Sequence, residues 1–272
     1  TYDGINPDEP YTAGIECIPI AADPDANDSP LIQNNTVMYA GYYNKNGGTY
    51  FASTTNGGGL GIWFDTITHG GVIRYNLVAH CRRCGIHLEK NIGSQCYYNI
   101  VYDTNGTSTS RGIWISNTDD ARRTCDSNKV YNNVCYNNKI GIGLSCGNYG
   151  LVITNNQIMN NISVGSSSMN LHCDHGADND GVHGIGNLYT YNCLGVAFTG
   201  FIGWGSRVYK STYADWETAY GGATHSVQAD PLLLNTTVGG ENFRLQPTSP
   251  CIKAGTDVGL TRDYVGTTVP RG

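Results

Sequence analysis

The sequence predicts an all-β chain folded as a stack of short repeating coils, and three observations predict it. The first is composition. Among 272 residues there are 36 Gly and 19 Tyr, Asn is abundant, and only 14% of residues are charged, against roughly 25% in ordinary soluble domains. Gly and Asn are poor helix formers. The second is a recurring template, apolar-x-x-Asn-x-apolar. The third is a Gly-Ile motif that follows most copies of it.

The template fits Ile32 to Val37 around Asn35, Ile73 to Val78 around Asn76, and Cys96 to Val101 around Asn99. It fits again at Val130 to Cys135 around Asn133 and at Ile153 to Ile158 around Asn156, with a degenerate copy at Ile185-Gly-Asn187-Leu-Tyr189. Successive Asn positions are 41, 23, 34, 23 and 31 residues apart. The second motif reads Gly61-Ile-Trp-Phe64, Gly85-Ile-His-Leu88, Gly112-Ile-Trp-Ile115, Gly141-Ile-Gly-Leu144 and Gly195-Val-Ala-Phe198; near residue 170 the copy is Met169-Asn-Leu171 without its Gly. A base length of 23 residues holds two or three short strands, which cannot bury an apolar face alone. Stacking coils about 4.8 Å apart makes a continuous core, and excess residues leave as corner loops. Asn at an equivalent place in every coil forms an amide ladder, as in cross-β stacks. This pattern is the signature of a parallel β-helix.

The totals exclude several classes. A net charge of −6 disfavours a nucleic-acid partner. No run of about 18 apolar residues offers a membrane span. Ten cysteines without a zinc-ribbon pattern point to an oxidising, extracellular setting. Asn27, Asn34, Asn105, Asn161 and Asn235 each begin an N-x-S/T sequon, which agrees with a secreted glycoprotein. No signal peptide is present, and the opening TYDGINPDEP reads as a processed or trimmed start.

The Asn and Gly-Ile repeats resemble the right-handed parallel β-helix proteins of the pectate-lyase-like superfamily. The C-terminal part resembles the ending of secreted bacterial members: Tyr213-Ala-Asp-Trp216-Glu, then Gly221, His225-Ser-Val-Gln-Ala-Asp230-Pro231, Asn242-Phe-Arg-Leu through Pro250-Cys-Ile-Lys-Ala-Gly255, and Asp263-Tyr-Val-Gly266. The likeness covers roughly residues 30–266. It implies a right-handed solenoid with a short helix and a loop-rich C-terminal part; it specifies fold and not chemistry. The family's closing segment is absent, so a truncated chain is expected. Residues 1–30 are expected to form an N-terminal cap with loops, 31–210 the coils, and 211–272 a helix and packing tail of the same domain. Residues 211–221 read as a helix capped by Thr212 with Asp215 and stopped by Gly221.

Alternation along the Gly-Ile strands places the outward residues in rows. The pairs are Trp63 and Asp65, His87 and Glu89, Trp114 and Ser116, Gly143 and Ser145, Asn170 and His172, Ala197 and Thr199. Trp63, His87 and Trp114 then form an exposed aromatic row, with Asn170, His172 and Lys90 alongside, suited to the apolar faces of sugar rings. Asp65 and Glu89 fall opposite each other, roughly 5 Å apart. Three readings stay open for them: surface carboxylates neutralised by Lys90 or an Arg, a general acid and its partner spaced as in a retaining glycosidase with His87 beside them, or a Ca²⁺ site. No other cofactor comes into view.

His172-Cys-Asp174-His175-Gly-Ala-Asp178-Asn-Asp180-Gly181 is the densest polar stretch. Asp174, Asp178 and Asp180 are the candidate metal ligands, against a reading in which Asp and Asn beside Gly only make turns. Asn117-Thr-Asp119-Asp120 is similar to an acidic motif of β-helix pectin hydrolases. That family's later elements do not follow in order, because His69-Gly70 precedes it and no later Arg-Ile-Lys is found; the polygalacturonase assignment is rejected. For a lyase the available bases are Arg74, Lys90, Arg122 and Arg123. Cys81 and Cys84 form a CxxC, as a strained disulfide or, less favoured, a zinc ligand pair. If Leu144 and Leu171 stack, Cys146 and Cys173 lie within disulfide reach on neighbouring coils.

The expected function is extracellular polysaccharide binding or degradation, by elimination or hydrolysis. The rival is a non-catalytic structural body of a fibre, spike or adhesin, with end-to-end self-association through open coil ends.

Overall fold

The computed structural model describes residues 13–18, 29–44, 50–52, 58–117, 124–146, 152–206 and 208–269. The chain is mostly β, with parallel sheets and one helix. The first sheet orders Ala13–Cys17, Leu60–Asp65, Cys84–Glu89, Arg111–Asn117, Ile140–Cys146, Met169–Cys173, Ile202–Trp204 and Tyr209–Lys210 side by side. The second orders Leu31–Gln33, Val72–Arg74, Gln95–Tyr97, Lys129–Tyr131, Gln157–Met159 and Leu188–Thr190. The third holds Thr36–Met38, Leu77–Ala79, Ile100–Tyr102, Val134–Tyr136 and Ile162–Val164. From Leu60 to Val164 the chain visits the three sheets in turn, and each visit adds a strand parallel to the one before. That arrangement is compatible with the expected β-helix.

The strands in the second and third sheets have only three residues each, and the central one points inward. Ile32, Ile73, Cys96, Val130, Ile158 and Tyr189 stack in register on the second sheet. Ile62, Ile86, Ile113, Ile142, Leu171 and Ile202 do so on the first. These residues belong to one buried apolar cluster. Parallel pairing in register places like beside like, so the core fills by repetition.

The Asn ladder exists, with a register different from that expected. One corner, between the second and third sheets, stacks Asn35, Asn76, Asn99, Asn133, Asn161 and Asn192. Each amide oxygen accepts from both the backbone N–H and the side chain of the Asn one repeat earlier, at 2.9 and 3.0 Å where Asn99 meets Asn133. A second corner, before the second sheet, stacks Ser94, Asn128, Asn156 and Asn187. Asn156 and Asn187 therefore belong to another corner than Asn133, and the 23-residue step from Asn133 to Asn156 is no repeat length. The residue before each Asn of the first corner sits in the left-handed region: Asn34, Tyr75, Tyr98, Asn132, Asn160 and Tyr191 have φ between 51° and 58°. Backbone strain there is offset by amides whose loss would leave buried polar groups unpaired. The Asn161 sequon is fully buried in this ladder, which removes it as a glycosylation site on the folded chain.

The helix runs Tyr213–Tyr220, with Thr212 accepting a hydrogen bond from the Asp215 N–H and Gly221 in the left-handed region, φ 85°. Its Trp216 and Tyr220 pack edge-on to Trp204, and Tyr209–Lys210 pairs antiparallel with Ile202 and Gly203. Together they close this edge of the first sheet. The tail then folds back. A hairpin of Leu233–Asn235 with Asn242–Leu245 lays Phe243 against Tyr102 and Tyr136 of the third sheet. Thr256 bonds Asn160 through both backbone groups, and Tyr264 meets Tyr75. At the other end Ala13–Cys17 is a strand in register with Leu60–Asp65, so the described part of residues 1–30 includes an additional layer of the first sheet.

Candidate functional site

The outer face of the first sheet gathers most of the residues singled out from sequence. One row runs Glu16, Trp63, His87, Trp114, Gly143, His172 and Gly203. The next runs Asp65, Glu89, Ser116 and Ser145. Two corrections concern register. His172 lies opposite Gly143, so Met169–Cys173 is shifted by two residues from the expected alignment, and Asn170 leaves the aromatic row. Asn170 is buried, its amide bonded to the Ser166 N–H and the Leu194 carbonyl. Ala197 and Thr199 lie outside the sheet, where Ile202–Trp204 takes the last parallel place.

The third correction is exposure. Trp63, His87 and Trp114 were expected to present an open platform, yet their relative exposures are 9%, 3% and 6%. The rings stack on one another, with centroids 6.1 Å apart for Trp63 and His87 and 4.3 Å for His87 and Trp114. Arg111 then lies over Trp114 at 4.4 Å and fills the space above Gly143. A Cβ on Gly143 would come within 2.6 Å of the Arg111 side chain, which would have to move to admit it. Among the described residues the row is packed π and guanidinium surface, with its rings largely covered.

Beside it lies the charged cluster. The Lys90 ammonium is 3.2 Å from Asp65 and 4.0 Å from Glu89. The His87 Nδ1 is 3.9 Å from the Glu89 carboxylate, and its Nε2 hydrogen-bonds the Ser116 hydroxyl at 2.7 Å. Burial first, then the charges of Arg83, Arg111 and Lys90, holds His87 well below the usual imidazole range. His87 is therefore held in its neutral form, hydrogen-bonded through Nε2 to Ser116. A third carboxylate, Glu16, joins this edge, its pKa raised by burial and then by Asp65. Sequence reading missed Glu16, although Gly14-Ile15-Glu16-Cys17 is itself a Gly-Ile copy. It also missed Arg111, which directly precedes the motif glycine. Opposed carboxylates bridged by an ammonium, with a neutral imidazole at their side, can hold and pass protons.

The loop after Cys173 does turn work. Asp180 accepts from the backbone N–H groups of Val182, His183 and Gly184 and pairs with His183 Nδ1 at 2.7 Å. Burial pushes its carboxyl up, but these hydrogen bonds outweigh burial and hold it down at about 2. Asp174 accepts from the His175 N–H. Asp178 is raised by burial and then by the charge of Asp180. Among the described residues no three His, Cys, Asp or Glu side chains are grouped to hold a metal. Arg74 serves the second sheet, bonded to Gln33 and Tyr97. Asp119, Asp120, Arg122 and Arg123 lie outside the described residues.

The Cys146–Cys173 bridge does not form. Leu144 faces Cys173, so the two cysteines stand two residues out of step, and Cys146 donates instead to the His175 carbonyl. All ten cysteines are free thiols, Cys81 and Cys84 included. Burial drives the Cys81 thiol up to about 12 and that of Cys84 higher still. Both pack among apolar side chains.

No family model, curated protein or solved structure matches the chain.

Proposed function

We propose that the chain is a right-handed parallel β-helix of the pectate-lyase-like kind that binds and degrades extracellular polysaccharide, with its chemistry at Asp65, Glu89, His87 and Lys90. The observation that carries this reading is the convergence on two adjacent strands of opposed carboxylates, a bridging ammonium and a neutral imidazole. Glu89 is assigned as the acid because it is the more buried carboxylate of the pair and the one beside His87. Asp65, more exposed, is the nucleophile or stabilising charge, as in retaining glycosidases. Displacement of Lys90 by bound substrate would free it as the base of an elimination. Ca²⁺ between the carboxylates is the alternative occupant. The test is a panel of acidic and neutral polysaccharides, with calcium and with EDTA, followed by absorbance of unsaturated uronates and by reducing ends. Asp65→Asn and Glu89→Gln are expected to abolish product while leaving the fold intact. Product formation unchanged in both variants would overturn the assignment.

One observation favours a second reading, a non-catalytic structural body. The aromatic row is packed, and Lys90 already neutralises Asp65 and Glu89. Absence of product from every substrate, with glycan binding or filaments retained, would support that reading. The edge closed by Tyr209–Lys210 argues that any end-to-end association uses the Ala13–Cys17 end.

A further inference from the structure

We propose that Cys193 and Cys251 form a disulfide that latches the C-terminal tail onto the body of the protein. Cys193 continues the third sheet by isolated parallel bridges to Ile162 and Val227. Cys251 comes from the tail, after the hairpin, where Ser249 bonds the Pro231 carbonyl at 2.5 Å and the Cys251 N–H at 3.2 Å. The two cysteines line one recess of about 210 Å³ with Val227, Leu245 and Ile162 and share one apolar cluster with Leu233 and Phe243. The Cys193 thiol donates to the Ala229 carbonyl at 3.4 Å, and the two thiols lie close enough to perturb one another. The pair is therefore brought together by chain segments 58 residues apart, each fixed independently.

The two thiols differ in a way that orders the chemistry. Cys251 is partly exposed, whereas Cys193 is buried. The neighbouring Cys193 thiol, set against burial and joined by Ser249, lowers the Cys251 thiol below the usual cysteine range. The thiolate is the attacking species. Cys251 thus meets the oxidant first, for instance glutathione disulfide. Its thiolate attacks one sulfur, a mixed disulfide forms, and glutathione leaves as thiolate. Cys193 then loses its proton and attacks the Cys251 sulfur, releasing a second glutathione. The two cysteines give up two electrons and two protons, and one glutathione disulfide becomes two thiols. Cys81, Cys84, Cys96 and Cys173 are fully buried with strongly raised thiols, so they do not compete.

The experiment oxidises the folded full chain with glutathione disulfide, blocks remaining thiols with an alkylating reagent and maps peptides without reduction. The expected result is one cross-linked peptide pair containing Cys193 and Cys251, and a melting temperature roughly 5–10 °C above that of the reduced protein. Cys193→Ser should retain glutathione on Cys251, because the resolving thiol is gone. Alkyl label on both cysteines of the folded wild type after prolonged oxidation, or a cross-link between another pair, would overturn the proposal.

Discussion

The two faces of the first sheet carry the same strands and obey different rules. Inside, Ile62, Ile86, Ile113, Ile142, Leu171 and Ile202 are near copies of one another. Outside, the same strands carry Trp63, His87, Trp114, Gly143, His172 and Gly203. Both faces are buried in their middle. The inner face is redundant: any apolar side chain of similar volume fills it. The outer face is heterogeneous, and particular neighbours hold some of its members, Trp114 by Ser145 at 2.9 Å and His87 by Ser116. Burial of polar groups costs least where each finds such a partner. A durable stack needs the inner face alone. The outer face carries polar chemistry that stacking does not require, and for that reason it is the place to look for function.

The largest expected effect breaks the ladder that holds both faces in register. Asn133→Ala removes the acceptor of the Asn99 N–H and side chain, and the donor to the Cys96 carbonyl. Several fully buried groups are left unpaired, so a loss of about 3–5 kcal/mol is expected. Denaturant unfolding of the variant measures it. A loss near 1 kcal/mol would mean that water replaces the amide and that the corner is open.

Acid should act on the outer face. Burial, then the Arg111 charge, lowers His172 from its ordinary 6.5 to about 4. The folded form binds its proton less readily than the unfolded form. Its contribution is fully present above about pH 6.5 and is lost as pH falls toward about 4, amounting to about 3 kcal/mol. His87, lowered in the same direction by burial first, adds to this. Urea midpoints measured between pH 7 and pH 4 should fall, and His172→Gln should flatten the slope. An unchanged slope in that variant would place the acid sensitivity elsewhere.

Smaller still is Ser145→Ala, which strips the buried Trp114 indole N–H of its acceptor. The expected loss is about 1 kcal/mol, read from the same unfolding curves.

How much of this was legible follows the same division. The inward Ile positions and the capped helix Tyr213–Tyr220 could be read, because period two and cap chemistry are local rules. The two-residue slip at Met169–Cys173 could not. Leu171 and Cys173 are both apolar and both inward, so shifting by two keeps every side chain on its face, unlike a one-residue slip. The Asn corners misled for a similar reason: both use apolar-x-x-Asn-x-apolar, and Asn156 matches Asn133 in type while lying at the other corner. The exposure of Trp63 and Trp114 was misread because alternation gives a side, not what covers it. Arg111 gave no signal, since its place depends on Gly143 one strand away. The approach of Cys251 to Cys193 depends on the tail's return path, which no repeat encodes.

Arg111 is where the comparison is sharpest and the expected effect smallest. A guanidinium this buried normally has a carboxylate partner. Among the described residues Arg111 has the Thr109 carbonyl at 2.8 Å and the Trp114 ring, while its Nε finds no hydrogen-bond partner. Burial brings its pKa down to about 10, so it remains charged at pH 7 at a desolvation cost. Arg111→Met keeps the length and most of the volume, removes the charge and retains contact with Trp114. A residue selected only for packing would be improved by the change, so stability should stay within about 1 kcal/mol of wild type or rise. If polysaccharide activity or binding falls while stability holds or rises, the buried cation is retained for a ligand, and the outer face is a site. If both are unchanged, Arg111 is tolerated packing, and the structural reading of this face gains.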